Sequence, residues 1–522
     1  MTELLPTKAS FRTGEPVEVE IRGAGGAVTV SLWHLDEKLD EVVADGVARF
    51  AGLEEGGYGI EADGARTAVD VVEDPLRRLR YGFVADFAAD RDVEQVVENA
   101  RRLHLNAVMF YDWMYRHADL LPPELDFDDA LGRYVSLDTV RSLVRALQDA
   151  GSLAVGYAAV YAVGREHWLD WSGEGLYHAD GTPWQLGDDF LWIVDPSSER
   201  WLEHFADDLI AARKRLGFDG FHLDQFGWPK AAVRRDGTLV DLAEAFPALI
   251  RHVRDALGST RLVFNNVNDF PTWSTATAPQ DAVYVEVWPP HDSLAHLAGL
   301  VTKAKGLAPE KSVSLAAYLT VFAGEEAGAR DAMRLQLATV FAHGGTCLLH
   351  GEADAVLVDP YYVRNHRMDP ASTEAARAYY DFAVRYGDLL FDPAAIDVTR
   401  THFGGINDEV RIEAPVPVGA DCLPGALWAR VVETTHGLLV HLIDLSSQET
   451  AAWDAPKRPA LELSGVRLAV ERLGREAPEI FFASPESSPA LKPLEPKLDG
   501  RHDVVPVPPF ATWAVIWAKH PV

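Results

Sequence analysis

Cysteine is almost absent from this chain: 522 residues contain only Cys347 and Cys422, far apart and each in an apolar setting. That excludes a disulfide framework and a cysteine-built metal knuckle. Positive charge is also scarce, with 48 Lys and Arg against 79 Asp and Glu, a formal charge of -31 and a pI near 4.9. Nucleic acid phosphates would be repelled, so a neutral or cationic substrate is expected. No apolar stretch is long enough to span a bilayer, and Met1-Thr2-Glu3-Leu4-Leu5-Pro6 has no basic segment followed by an apolar run. A soluble, cytoplasmic protein is the expectation; a secreted chain whose export signal had been removed would read the same.

What is present is a large folding capacity. Apolar residues make up 48% and Trp occurs 14 times, which describes a globular chain of two to four domains. Residues 1–76 alternate in the manner of strands: Val17, Val19 and Ile21, then Val28, Val30 and Leu32, then Tyr58 and Ile60 after a Gly-Gly turn. An N-terminal immunoglobulin-like β-sandwich is expected there.

From Leu79 the rhythm changes, and buried strands alternate with amphipathic helices over 77–391. Val93, Val96, Val97, Ala100 and Leu103 form one helical stripe, Val140, Leu143, Val144 and Leu147 the next, and Gly151, Gly217 and Gly258 mark helix ends. Eight strand–helix units fit a (β/α)8 TIM barrel. A doubly wound open sheet is the alternative, but the first strand lacks the Gly-rich phosphate turn that favours it. Over 392–522 the helical signal stops and Val431 to Ile443, Val466 to Val470, Ile480 to Phe482 and Thr512 to Trp517 read as a C-terminal antiparallel β domain.

The residues just beyond the strands line one mouth of such a barrel. In order they are Asp86, Tyr111-Asp112-Trp113, Tyr157, Asp224, Asn265-Asn266, Glu286-Val287-Trp288, Tyr318 and His350-Gly351-Glu352. Carboxylates and amides bond hydroxyls, and aromatic faces stack on a sugar ring, so the rim suits a neutral polyhydroxyl ligand. Asp224 ends the fourth strand and Glu286 the sixth, so their tips can face each other. Two carboxyls about 5 Å apart suit double displacement at an anomeric carbon. Asp224, wedged at its turn, reads as nucleophile. Glu286, between Val285 and Val287 and beside Trp288, reads as the acid/base with a raised pKa. Asp112, with Arg116 as a possible ion-pair partner, would grip hydroxyls. His117, Asn266, Asn268, Tyr318, Trp113 and Trp288 are further binding candidates, and Trp228 and Trp273 are loop tryptophans. His222 reads as a satisfied structural histidine. The chemistry calls for no metal or organic cofactor. Asp126-Phe127-Asp128-Asp129 lacks calcium-loop spacing and reads as a solvated face.

Tyr111-Asp112-Trp113-Met114-Tyr115-Arg116-His117 with Leu121-Pro122-Pro123, the Gly217 to Gly227 segment, and Tyr284-Val285-Glu286-Val287-Trp288 together resemble glycoside hydrolase family 66. That family holds endo-dextranases and cycloisomaltooligosaccharide glucanotransferases. The resemblance spans the three-part layout and implies anomer-retaining attack on α-1,6-linked glucans. It puts the nucleophile on Asp224, the acid/base on Glu286 and an essential aspartate on Asp112. Cyclising members carry a binding module after the seventh strand; here only about a dozen residues separate Tyr318 from a helix near Asp331, which implies hydrolysis. The missing export signal implies a short imported isomaltooligosaccharide or another glycan. The alternatives are a retaining or transferring enzyme on another α-glycoside and, from a different class, a non-catalytic carbohydrate-binding protein. The last would show loss of a rim carboxylate, and none is missing.

Overall fold

The computed structural model describes residues 2–472 and 477–519. At the N-terminus, Glu3–Pro6, Val17–Arg22 and Val47–Phe50 form one antiparallel sheet, and Val28–His34, Glu37–Ala44, Gly56–Ala62 and Ala65–Val71 a second. Alternate residues Val17, Val19 and Ile21 turn inward to meet Val30, Leu32, Ile60 and Val69 from the facing sheet. The period of two thus becomes a sandwich core, because only one face of each sheet is dry.

Eight parallel strands follow: β1 (Tyr81–Val84), β2 (Ala107–Phe110), β3 (Leu153–Ala159), β4 (Gly220–Asp224), β5 (Arg261–Val267), β6 (Ala282–Glu286), β7 (Ser312–Ala316) and β8 (Thr346–Cys347). They pair in sequence order, and a parallel bridge between Phe83 and Gly351 brings the end of the eighth unit back to β1. The architecture is therefore a (β/α)8 barrel. Its strands are buried almost end to end, since helices cover one face and the barrel interior the other.

The helices are α1 (Val93–Arg102), α2 (Leu137–Asp149), α3 (Glu199–Leu216), α4 (Leu242–Leu257), α5 (Thr272–Thr275), α6 (Leu294–Leu307), α7 (Glu326–Ala342) and α8 (Pro370–Arg385). The stripe Val140, Leu143, Val144 and Leu147 is fully buried, each side chain contributing about 1.5–3 kcal/mol. Helix α3 stops at Gly217 because that residue takes φ +84°, a conformation that costs an L side chain dearly. The β5 to β6 connection holds a single helical turn, and α7 begins at Glu326, five residues before the expected Asp331.

The C-terminal region forms a four-stranded antiparallel sheet and a seven-stranded sheet that is antiparallel except where Val418–Gly419 runs parallel to Leu427–Thr434. The run expected as one strand from Val431 to Ile443 is a hairpin, Leu427–Thr434 against Gly437–Asp444. Its larger sheet is apolar on both faces. Leu427, Val431, Val440 and Ile516 meet the smaller sheet, whereas Trp428, Val432, Leu439, Ile443 and Trp517 join the barrel core. Among the described residues no helix is long and apolar enough to cross a membrane.

Candidate active site

The connections leaving the C-terminal strand ends are long and carry their own hairpins, as at Asp126–Asp128 with Tyr134–Ser136 and Ala231–Val233 with Leu239–Asp241. Together they enclose a cavity of about 900 Å³ over the mouth of the barrel. That is the end where parallel barrels expose their strand tips. Asp224 and Glu286 both line it, with Asp112, Tyr111, His117, Tyr157, Asn265, Trp288 and Tyr318.

One amide ties the two carboxylates together. Asn265 Nδ2 donates to Asp224 Oδ1 at 2.7 Å and to Glu286 Oε2 at 3.1 Å, so those oxygens are no farther apart than the two bonds laid end to end. That limit admits the separation of about 5–5.5 Å found in retaining pairs. The outer oxygens are held as well: Tyr157 Oη donates to Asp224 Oδ2 and Tyr318 Oη to Glu286 Oε1, each at 2.7 Å.

Burial raises both carboxyls. Asp224 is pushed up to about 7, by enclosure first and then by the negative charge of Glu286, against the hydrogen bonds from Tyr157 and Asn265. Glu286 is raised by burial, opposed by its bond from Tyr318. Glu286 is thus raised, as expected from its setting between Val285 and Val287, and Asp224 is raised as well. The charge of Glu286 adds to burial in raising Asp224, so the two carboxyls titrate as an interacting pair.

Asp112 has φ +51°, an uncommon backbone for a non-glycine residue, and this turns its carboxyl into the cavity. Burial lifts it to about 7 even though Arg133 Nη2 lies 3.3 Å away. Its partner is Arg133 rather than the expected Arg116, which is spent on the Asp128 carbonyl at 2.9 Å and on Glu166 at 3.2 Å. Asp129, expected as a solvated residue, is buried against Arg133 and lines the cavity. His222 bonds Tyr81 Oη at 3.3 Å, and burial takes its pKa down to about 3. Burial likewise takes His117 down to about 4, so both imidazoles are neutral donors or acceptors at working pH.

Five expected binding residues are elsewhere. Trp113 is fully buried, its indole N–H donating to the Tyr157 carbonyl at 3.0 Å and its ring edge-on to Phe218. Asn266 points outward to Thr275 and the Tyr284 carbonyl, because Asn265 stands in register with the inward Tyr284 and the next residue must face the helices. His350 is enclosed beside Tyr380. Glu352 accepts the N–H groups of Ala85 and Asp86 and an Arg91 N–H, so it fastens β1 to the eighth unit. Asp86 itself is half exposed and pairs with Arg91. Asn268, Trp228 and Trp288 do reach the wall. Trp273, 52% exposed, stands outside it with Lys303 over its ring.

Reasoning from strand tips missed Tyr284, which belongs to β6 itself, and Tyr361, Tyr362 and Lys230, which come from the long connections; it also missed Arg133, the ion-pair partner of Asp112. Period-two alternation counted back from Glu286 would have found Tyr284. Among the described residues no group of three or more His, Cys, Asp or Glu could hold a metal ion.

Fold and cavity define a (β/α)8 barrel with a carboxylate pair enclosed by tyrosines and tryptophans at its C-terminal mouth. The chain belongs to glycosyl hydrolase family 66, whose profile matches residues 54–517. It is 23% identical to a cycloisomaltooligosaccharide glucanotransferase of Niallia circulans across 88% of this chain and 51% of that one. It is 22% identical to a dextranase of Streptococcus salivarius across 43% of this chain and 31% of that one. The chain therefore spans about half, or less, of the length of these curated relatives. Its fold superposes with TM-score 0.88 on a Paenibacillus sp. cycloisomaltooligosaccharide glucanotransferase complexed with cycloisomaltoheptaose, at 19% identity over 99% of this chain and 100% of that one.

Proposed function

We propose that this protein is a retaining glycosidase that cleaves α-1,6-glucosidic linkages of dextran or isomaltooligosaccharides. The observation that carries the reading is the Asn265 amide spanning Asp224 and Glu286, a bridge short enough for the spacing of a retaining pair. The relatives' names supply the substrate class. Asp224, as the carboxylate, attacks the anomeric carbon while Glu286, as the acid, gives its proton to the departing glycosidic oxygen. A glycosyl ester on Asp224 results. Glu286, now a carboxylate, takes a proton from water as that water displaces the ester. Where a sugar hydroxyl takes the water's place the same cycle transfers a glucosyl group. The short span from Tyr318 to α7 offers no added acceptor-binding module and favours water.

The roles are separable by azide on an activated aryl α-isomaltoside. Glu286→Ala should lose about 10²–10⁴-fold in deglycosylation and regain turnover with azide, releasing the α-glycosyl azide. Asp224→Ala should release the β-glycosyl azide, since one displacement has been lost. The reverse assignment of anomers would exchange the roles, and full activity in either variant would end the proposal.

A further inference from the structure

We propose that Asn268 is a positioning residue for the acid/base: its side-chain amide clamps the turn after β6 and so fixes where Glu286 presents its proton. The inference deepens the reading above and rests on it. Its basis is a set of three hydrogen bonds made by one residue just beyond β5. The Asn268 N–H donates to the Glu286 carbonyl at 2.7 Å, directly past the last β5–β6 pair, Val267 with Glu286. The side-chain oxygen accepts the Trp288 N–H at 3.3 Å, and Nδ2 donates to the Pro289 carbonyl at 3.0 Å. The backbone at 286, 288 and 289 is thereby tied to a single asparagine.

Asn268 lines the cavity and its sequence position suggests a sugar binder, yet both heteroatoms of its amide are engaged by the neighbouring turn. The residue has φ +51°, a left-handed backbone in which asparagine is several-fold enriched among non-glycine residues. An amide also carries a donor and an acceptor together, which is what a backbone N–H and a backbone carbonyl on one turn require. On the other side of Glu286 the Val287 N–H donates to the Ala316 carbonyl at 2.8 Å, and Tyr318 holds Oε1. The Trp288 ring stands edge-on to Tyr318 with 6.1 Å between ring centres, and the Trp288 side chain favours the charged form of Glu286. Glu286 is thus fastened toward β7 by its own neighbours and toward β5 by Asn268. Without the amide, the turn at 288–290 loses its hold on the β5 side. Proton transfer needs the acid within hydrogen-bond reach of the departing oxygen, and a misplacement of about 1 Å can cost roughly 10²-fold in rate. Asn268 so placed acts through Glu286 rather than on the sugar.

The test compares two substrates that differ in their need for an acid: isomaltopentaose, whose leaving group is a sugar alcohol, and α-isomaltosyl fluoride, whose fluoride departs with little protonation. Asn268→Gly keeps the left-handed backbone accessible and removes both side-chain bonds. At the pH optimum, kcat/KM of this variant on isomaltopentaose should fall roughly 10–100-fold, while kcat/KM on the fluoride stays within about threefold of the unmodified protein. Retained turnover of the fluoride also shows the cavity intact. Asn268→Asp tolerates the same backbone but cannot donate to the Pro289 carbonyl; it should show the same split, and it supplies the comparison if the glycine variant does not fold. Equal losses on both substrates would make Asn268 a sugar contact or a general brace and overturn the positioning role, as would full activity on isomaltopentaose; both outcomes leave the proposed chemistry standing. Failure of the unmodified protein to cleave isomaltopentaose and the fluoride overturns the proposed activity itself, and this role with it.

Discussion

Asn265 links two carboxylates that would otherwise repel, and Tyr157 and Tyr318 each hold the far oxygen of one of them. Because these neutral donors favour the charged form, removing either should raise the pKa of its own partner. Tyr157→Phe should therefore move the acid limb of the kcat/KM profile to higher pH, because Asp224 must be ionised to attack. Tyr318→Phe should move the alkaline limb upward, because Glu286 then keeps its proton longer. A shift of about half to one pH unit is expected for each, read from pH–rate profiles, with the other limb nearly still. If both variants moved the same limb, the division of roles would be wrong.

Asp388, just beyond α8, joins the helical layer to the N-terminal sandwich. It is partly buried, yet His34, the Gly57 N–H and Arg78 hold it well below the ordinary carboxylate range. A folded pKa below the unfolded one contributes stability above about pH 4 and loses it as pH falls through the folded value. Asp388→Asn should accordingly lower unfolding free energy by about 2–3 kcal/mol at pH 7, with the difference shrinking toward pH 3. Urea unfolding at the two pH values measures it. The contact joins the hairpin region near His34 to a helix end more than 350 positions away, which no local pattern discloses.

The C-terminal sheets also reach the rim of the cavity. Trp453 donates its indole N–H to the His291 carbonyl at 2.8 Å, and Asp454 accepts the Val321 N–H at 3.1 Å together with the Thr320 hydroxyl. Those contacts brace the connections that carry Trp288 and Tyr318. Asp454 supplies the cap that the one-turn helix Thr320–Ala323 lacks from its own Leu319. Asp454→Ala should remove about 1 kcal/mol of ordering from the Tyr318 segment and raise KM about fivefold, with a smaller change in kcat. Steady-state kinetics on isomaltooligosaccharides check this, and an unchanged KM would confine the loop to a structural role.

Strand and helix periodicity, glycine stops and the carboxylates at strand ends were legible in the chain because each is a local consequence of backbone geometry. Asp224, Glu286, Tyr157 and Tyr318 lie at tips that alternation alone can locate. Trp113, Asn266, His350 and Glu352 were misread because a tip residue faces the mouth, the helices or the neighbouring strand according to register. Register depends on which strands become neighbours. Arg133, Tyr361 and the Asp112 partner lie on irregular connections, where residues far apart in sequence meet only once the barrel has closed. Local covalent geometry thus determined the barrel, the sandwiches and the chemistry-bearing residues. Only the closed tertiary structure decided how the pair is spaced, which charges face it and where the cavity ends, because those are set by contacts between chain segments that share no local pattern.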